Sequence, residues 1–170
     1  MIYVYHTHAG SVRQSKTLEQ LLSELPPGLA LRARRYRSRE AAFNFVLGRH
    51  LLRRALTDAG FDPEIIERIR YNEHDKPLLA GCSFSISHAQ HLIACAFTRT
   101  GTVGLDVEIM REFHLPDLKS WFTEPEWEKI LAAADPRRQL LLCWTRKESV
   151  LKAVGGGLSD LDAIRLLDEQ

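Results

Sequence analysis

The sequence predicts an α+β fold, an antiparallel sheet with long helices packed against it. Two changes of period carry that reading. Apolar residues recur at helical spacing through Phe43, Leu47, Leu51, Leu52, Ala55 and Leu56 until Gly60 ends the pattern. Beyond it, residues 65–72, 82–87, 92–98 and 103–109 read as strands separated by short polar turns. In chain order, residues 2–5 predict a short strand and residues 16–24 a first helix, which Pro26-Pro27-Gly28 stops. Residues 30–59 predict one long amphipathic helix with a break near Ser38. Thr123-Glu-Pro-Glu126 resembles a capped helix start for residues 127–134. Pro136 opens a second long helix, the Gly155-Gly156-Gly157 run stops it, and residues 163–167 predict a last strand.

With 170 residues, 45% hydrophobic and 26% charged, the chain can bury a core as one compact domain or as two closely packed halves. A formal net charge of +1 carries no global nucleic-acid signature, and the basicity of Arg32, Arg34, Arg35, Arg37 and Arg39 is local. Cys82, Cys95 and Cys143 are odd in number and lack C-x-x-C spacing, which predicts reduced thiols and a cytoplasmic protein. No apolar run reaches membrane-spanning length, and the amino terminus lacks the pattern of a signal peptide. His6 and His8 would share a strand face, but no further ligand cluster accompanies them, which argues against zinc.

The chemistry concentrates in two segments. Trp144, Glu148 and Lys152 stand at successive i, i+4 positions of the second long helix, so one face carries an acid and a base. In Thr102-Val-Gly-Leu-Asp106-Val-Glu108-Ile, strict alternation sends Val103, Leu105 and Val107 one way and Asp106 and Glu108 the other. If the fold joins them, Asp106, Glu108 and Glu148 offer the oxygen ligands that Mg²⁺ prefers. Plainer readings stand beside this one. The two strand carboxylates would also suit a solvated face, and Glu148 with Lys152 would also be an ordinary surface pair worth about 0.2 to 0.5 kcal/mol. Gly104, on the same face, leaves room for a ligand's approach or marks a bulge. His88 follows a strand rich in small hydroxyl residues, where a turn histidine or a ligand-binding one is equally at home.

Gly104-Leu-Asp106-Val-Glu108 followed by Trp144-Thr-Arg-Lys147-Glu148-Ser-Val-Leu-Lys152 resembles the paired hallmark motifs of the Sfp-like phosphopantetheinyl transferases. Asp75-Lys76-Pro77 is similar to that family's G-K-P, and Phe84-Ser-Ile-Ser87-His88-Ala89 to its N-x-S-H-S. Arg34-Arg35-Tyr36, leading into a helix with Leu47-Gly48-Arg49, extends the resemblance over nearly the whole chain. It implies a pseudo-duplicated fold of two α/β halves, here residues 1–103 with the nucleotide-binding elements and 104–170 with the metal site. It implies transfer of phosphopantetheine from coenzyme A to a serine of an apo acyl or peptidyl carrier protein.

The roles it implies are Mg²⁺ on Asp106, Glu108 and Glu148, and coenzyme A on Arg32, Arg39, Lys76, Ser87, His88, Lys147 and Lys152. Glu148 is the first candidate for general base and Glu126 the second, with Lys152 beside the phosphates. Asn44 stands where relatives commonly carry a basic residue, and Asp75, Ser85 and Ala89 also depart from the pattern. A metal-dependent nuclease or a non-catalytic module binding carrier proteins or coenzyme A are the alternative readings, and neither nucleic acid nor membrane is an expected partner. Relatives usually continue through further strands after Leu158-Ser159. That predicts either a shortened form of a longer protein or a final strand paired unusually, for instance across a homodimer instead of in a monomer.

Overall fold

Side-chain oxygens at four positions decide where helices begin. Thr17 and Thr123 form capping boxes with Gln20 and Glu126, Ser38 accepts from the Ala41 amide, and Asp135 accepts from the Arg138 amide. The structure, a computed structural model, describes residues 1–166. Strand β1 (Ile2–His8) leads into helices α1 (Ala9–Ser15), α2 (Leu18–Ser23), α3 (Pro27–Arg34) and α4 (Arg39–Asp58). A 3₁₀ helix (Pro63–Arg68) and a small ribbon of β2 (Arg70–Tyr71) and β3 (Pro77–Leu78) precede β4 (Ser83–Ala89) and β5 (Leu92–Thr98). A 3₁₀ turn (Leu115–Trp121), α5 (Glu124–Ala132), α6 (Pro136–Val154) and a last 3₁₀ turn (Leu158–Ala163) complete the described residues.

The main sheet has the order β1-β5-β4 and is antiparallel throughout. Central β5 is buried from Ile93 to Thr98. Its Cys95 and Phe97, with Phe84 of β4, share a core with Leu52, Ala55 and Leu56 of α4. Gly48 lets α4 press onto β4, because a Cβ there would stand 2.7 Å from the Ile86 side chain. The register puts Ser83, Ser85 and Ser87 opposite Thr98, Ala96 and Ala94, so the other face of the sheet carries small side chains. A further core joins Ala9, Leu21, Leu22 and Leu25 to Phe43, Val46 and Leu47 of α4, and a separate one joins Phe122, Trp127, Ile130, Leu140 and Cys143.

The α+β class, the antiparallel sheet, β4, β5 and both long helices follow the sequence reading. So do β1, α2 and α5, and the remaining segments differ for identifiable reasons. The break expected near Ser38 parts residues 30–59 into α3 and α4, where Ser38 caps α4. Helix α1 is not among the predicted elements; it ends before Thr17, which caps α2 within the expected residues 16–24. Residues 65–72 are mostly 3₁₀ helix, since the Asp62 carboxylate accepts from the Glu64 amide with Pro63 at the first helical position. Residues 103–109 are extended but belong to no backbone ladder. Residues 163–166 are not a strand, and Leu167 lies outside the described residues. Gly155 ends α6 in the left-handed region at φ 81°, its amide bonded to Leu151 O, as the glycine run suggests.

Candidate active site

Segment 103–107 is held by a row of serine side chains. The amides of Val103, Leu105 and Val107 donate to the hydroxyls of Ser83, Ser85 and Ser87 at 3.0, 3.0 and 3.3 Å. Ser85 Oγ also lies 3.4 Å from Leu105 O, so one side chain meets both polar groups of a residue as a strand neighbour would. The alternation of the sequence is thus realised without a backbone ladder.

Ser87 sets the central carboxylate. Its hydroxyl donates to Asp106 Oδ1 at 3.0 Å and accepts from the Val107 amide and from Lys152 Nζ, the latter at 3.1 Å. One proton and two lone pairs are all engaged, so Ser87 positions Asp106. Lys152 Nζ reaches the same Asp106 Oδ1 at 2.5 Å. The Asp106 side chain is only 5% exposed, and its Oδ2 is buried with no hydrogen-bond partner.

Glu148, one turn before Lys152, faces this pair. Burial pushes its carboxyl above the ordinary value; Lys152 opposes that, and the charges of Asp106 and Glu108 add to it. The three carboxylates therefore feel one another, although among the described residues they are not drawn into a preformed metal-ligating group. Because Glu148 holds its proton more tightly in the folded than in the unfolded protein, folding stability falls as pH rises from the unfolded value through the folded one. Glu148→Gln is therefore expected to raise the melting temperature at pH 7, with the gain shrinking as the solution is acidified below the ordinary carboxylate range. Thermal unfolding of both proteins across pH 3 to 8 checks this.

Gly104 does not open space for a ligand. A Cβ there would stand 1.7 Å from Ser149 O and 2.6 Å from Ala153 N, so the missing side chain is the room that the α6 backbone occupies. That close approach brings the face bearing Glu148 and Lys152 against Asp106.

A cavity of about 300 Å³ adjoins the cluster. Lys76, His88 and Lys152 line it, together with Arg49 and the aromatic rings of Tyr36 and Phe45. Partial desolvation, aided by the Lys152 charge and resisted by Glu40, holds the His88 imidazole below its ordinary pKa, and desolvation lowers that of Lys76. Lys76 Nζ donates to Ala153 O at 2.5 Å, and Asn72 Nδ2 to Gly155 O at 3.0 Å, so the turn around Lys76 caps α6. Asp75, at the place of the glycine in the G-K-P motif that this segment resembles, takes φ 61° in that turn, a conformation aspartate tolerates better than most residues.

Other expected ligand residues stand elsewhere. Arg32 stacks over Tyr71 at 3.9 Å and bonds Asp75 at 3.1 Å, on a neighbouring groove. Arg39 lines a separate groove with Arg13 and Lys16. Lys147 is fully buried, 2.8 Å from Glu126 Oε2 and 3.1 Å from Trp121 O, and is thus sealed from any phosphate. Burial opposes a charge on Glu126, yet the Lys147 ammonium and the Thr123 and Leu166 amides hold its pKa below the ordinary value. Both its oxygens are engaged in these bonds, which fits a structural anchor and not a base. Lys147→Met is expected to lower stability by about 3 to 5 kcal/mol through the stranded Glu126 charge, and Lys147→Met with Glu126→Gln to recover part of it. Urea unfolding of the two variants checks both.

The sequence reading missed Arg49, Tyr36 and Phe45 as cavity residues. The 41, 44–45, 48–49 spacing on α4 is the signal that would have found Phe45 and Arg49.

Known proteins resemble this chain over most of its length. Residues 102–170 match the model of the 4'-phosphopantetheinyl transferase superfamily. The 4'-phosphopantetheinyl transferase HetI of Nostoc sp. is 32% identical over 162 residues, 88% of this chain and 67% of the relative. A 4'-phosphopantetheinyl transferase of Bacillus subtilis is 32% identical over 81% of this chain and 65% of its own. AcpT of Escherichia coli O157:H7, also a 4'-phosphopantetheinyl transferase, is 33% identical over 78% and 66%. The chain thus spans about two thirds of the length of these curated relatives, and 53% of one from Aneurinibacillus migulanus.

Proposed function

Because the chain belongs to the 4'-phosphopantetheinyl transferase superfamily, we propose that it moves the 4'-phosphopantetheine moiety of coenzyme A onto a serine of an acyl or peptidyl carrier protein. The observation that carries the reading is the buried Asp106 Oδ2 without a partner, set between Lys152, Glu148 and a cation-lined cavity. An orphaned carboxylate oxygen among other carboxylates suits a hard cation, and Asp106, Glu108 and Glu148 are the residues to hold Mg²⁺. When bound, Mg²⁺ supplies charge neutralisation at the pyrophosphate.

The chain's own groups do the rest. Lys152, fixed by Ser87 and Asp106, places an ammonium at the cavity edge, where it offsets phosphate charge. Glu148, with its raised pKa, accepts the proton of the carrier serine. The serine Oγ forms a bond to the β-phosphorus, the bond from that phosphorus to the bridging oxygen breaks, and the electron pair leaves on adenosine 3',5'-bisphosphate. His88 and Lys76 line the cavity for the nucleotide end.

The division into residues 1–103 and 104–170 as counterparts of a pseudo-duplicated fold belongs to the same proposal. The core of Phe122, Trp127, Ile130, Leu140 and Cys143, separate from the two that surround α4, and the two long helices, α4 and α6, support it. Three free thiols favour a reducing, cytoplasmic setting, and no described helix is long and apolar enough to cross a membrane. Within the basic stretch, Arg34 is paired with Glu19 at 2.6 Å and Arg32 with Asp75, which leaves less charge for a nucleic-acid backbone than the sequence suggests.

Calorimetric titration of coenzyme A with and without Mg²⁺ tests the reading. Wild type is expected to bind more tightly with Mg²⁺ and Asp106→Asn to lose that gain. Isotherms indifferent to the metal in both proteins would refute it.

A further inference from the structure

Asn72, in the turn between β2 and β3, engages every polar atom it has. Its backbone N–H donates to Lys76 O at 3.0 Å, and its carbonyl accepts from the Asp75 amide at 3.0 Å. The side-chain Oδ1 accepts from the amides of His74 and Lys76 at 3.0 and 2.8 Å, which fixes the other terminal atom as the nitrogen. That Nδ2 donates to Gly155 O at 3.0 Å, 83 positions along the chain. Gly155 permits the approach, because a Cβ there would stand 3.0 Å from Asn72 Nδ2 and 2.9 Å from Lys76 Cδ.

The bond falls where α6 needs one. The last carbonyls of a helix have no partner within it, and the final turn frays unless something else answers them. Here Leu151 O takes the Gly155 and Gly156 amides, Ala153 O takes Lys76 Nζ, and Gly155 O takes Asn72. Lys152 stands in that final turn and Glu148 one turn before it. The close contact at Gly104 sets how near α6 comes to Asp106, but a bare glycine does not resist sliding or rotation of the helix about its axis. Hydrogen bonds at the helix end are directional and do. We infer that Asn72 is a positioning residue for the transfer: it pins the end of α6 and so holds Lys152 and Glu148 in register with Asp106. This rests on the transferase reading of the site.

Asn72→Asp keeps the size of the side chain and the oxygen that shapes the turn, and removes only the donor to Gly155. It is expected to lower kcat about 10- to 100-fold, the scale of a misplacement of about 1 Å, while KM for coenzyme A changes by less than about threefold. Hydrogen exchange at the Gly155 and Gly156 amides is expected to speed up about 10-fold, with the amides of β5 unchanged. Asn72→Ala also removes the acceptor and with it the turn around Lys76, so there KM is expected to rise as well. Thr17→Ala, which breaks the α2 capping box away from the cavity, is the control: its urea midpoint falls and its kcat does not. Melting curves establish that each variant is folded. An unchanged kcat in Asn72→Asp, a rise in KM alone in both Asn72 variants, or unaltered exchange at Gly155 and Gly156 would overturn the assignment and leave the transferase reading intact. A wild-type protein that transfers nothing to any carrier would overturn both.

Discussion

Asp106→Asn is expected to reduce transfer by at least about 100-fold while the protein stays folded. Asparagine keeps the shape of the side chain and the bond that Ser87 donates, but it removes the charge that Lys152 meets and puts an amide in place of one of the three carboxylates. Loss of a single preorganised electrostatic group already costs about two to three orders of magnitude in many enzymes, and here it sits at the centre of the cluster. Glu148→Gln is expected to fall in the same way, since it removes both a carboxylate and the proposed proton acceptor. Single-turnover rates with circular dichroism on each variant decide the point. A near-normal rate in both would place the chemistry elsewhere.

Gly104→Ala is expected to be the most damaging small substitution in the chain. The added carbon would stand 1.7 Å from Ser149 O, with Ser149 C and Ala153 N also within 3 Å, and all of these are backbone atoms of α6 that no rotamer change can move aside. Overpacking costs about 1 to 3 kcal/mol where side chains can adjust, so a loss of at least about 3 kcal/mol follows when the helix itself must shift. Activity should fall with it, because displacement of α6 separates Lys152 from Asp106. Gly28→Ala is the matched control: nothing lies within 4 Å of its Cβ, it sits in α3, and alanine there should hold or raise stability by up to about 1 kcal/mol. Urea midpoints of the two variants check the contrast.

The same glycine shows how far the sequence alone could be read. The alternation through Val103, Asp106 and Glu108 was legible, as were the i, i+4 face of α6 and the strands β4 and β5. What fills the space at Gly104 was not, since a glycine looks the same whether it admits a ligand or a helix. The serine spacing 83, 85, 87 was visible as a hydroxyl-rich strand. That these hydroxyls would stand in for a neighbouring backbone depends on which segment is laid on that face, a long-range fact that local pattern does not encode.

The burial of Lys147 was hidden for a related reason. Its charge and its motif position place it near the site, but Trp121, Phe122 and Glu126, at least 21 positions upstream, close over it. Arg49 was hidden in the opposite way. An arginine in a helix reads as a solvated charge, and only tertiary packing makes it a buried donor facing a cavity.

Mass spectrometry of a panel of apo carrier proteins, each incubated with the protein, coenzyme A and Mg²⁺, tests the central claim most directly. At least one carrier is expected to gain a single phosphopantetheine on its serine, with stoichiometric adenosine 3',5'-bisphosphate released, and to gain nothing with Asp106→Asn or in EDTA. Carriers from fatty acid, polyketide and nonribosomal peptide systems that all stay unmodified, in the presence of a folded protein that binds coenzyme A, would contradict the account.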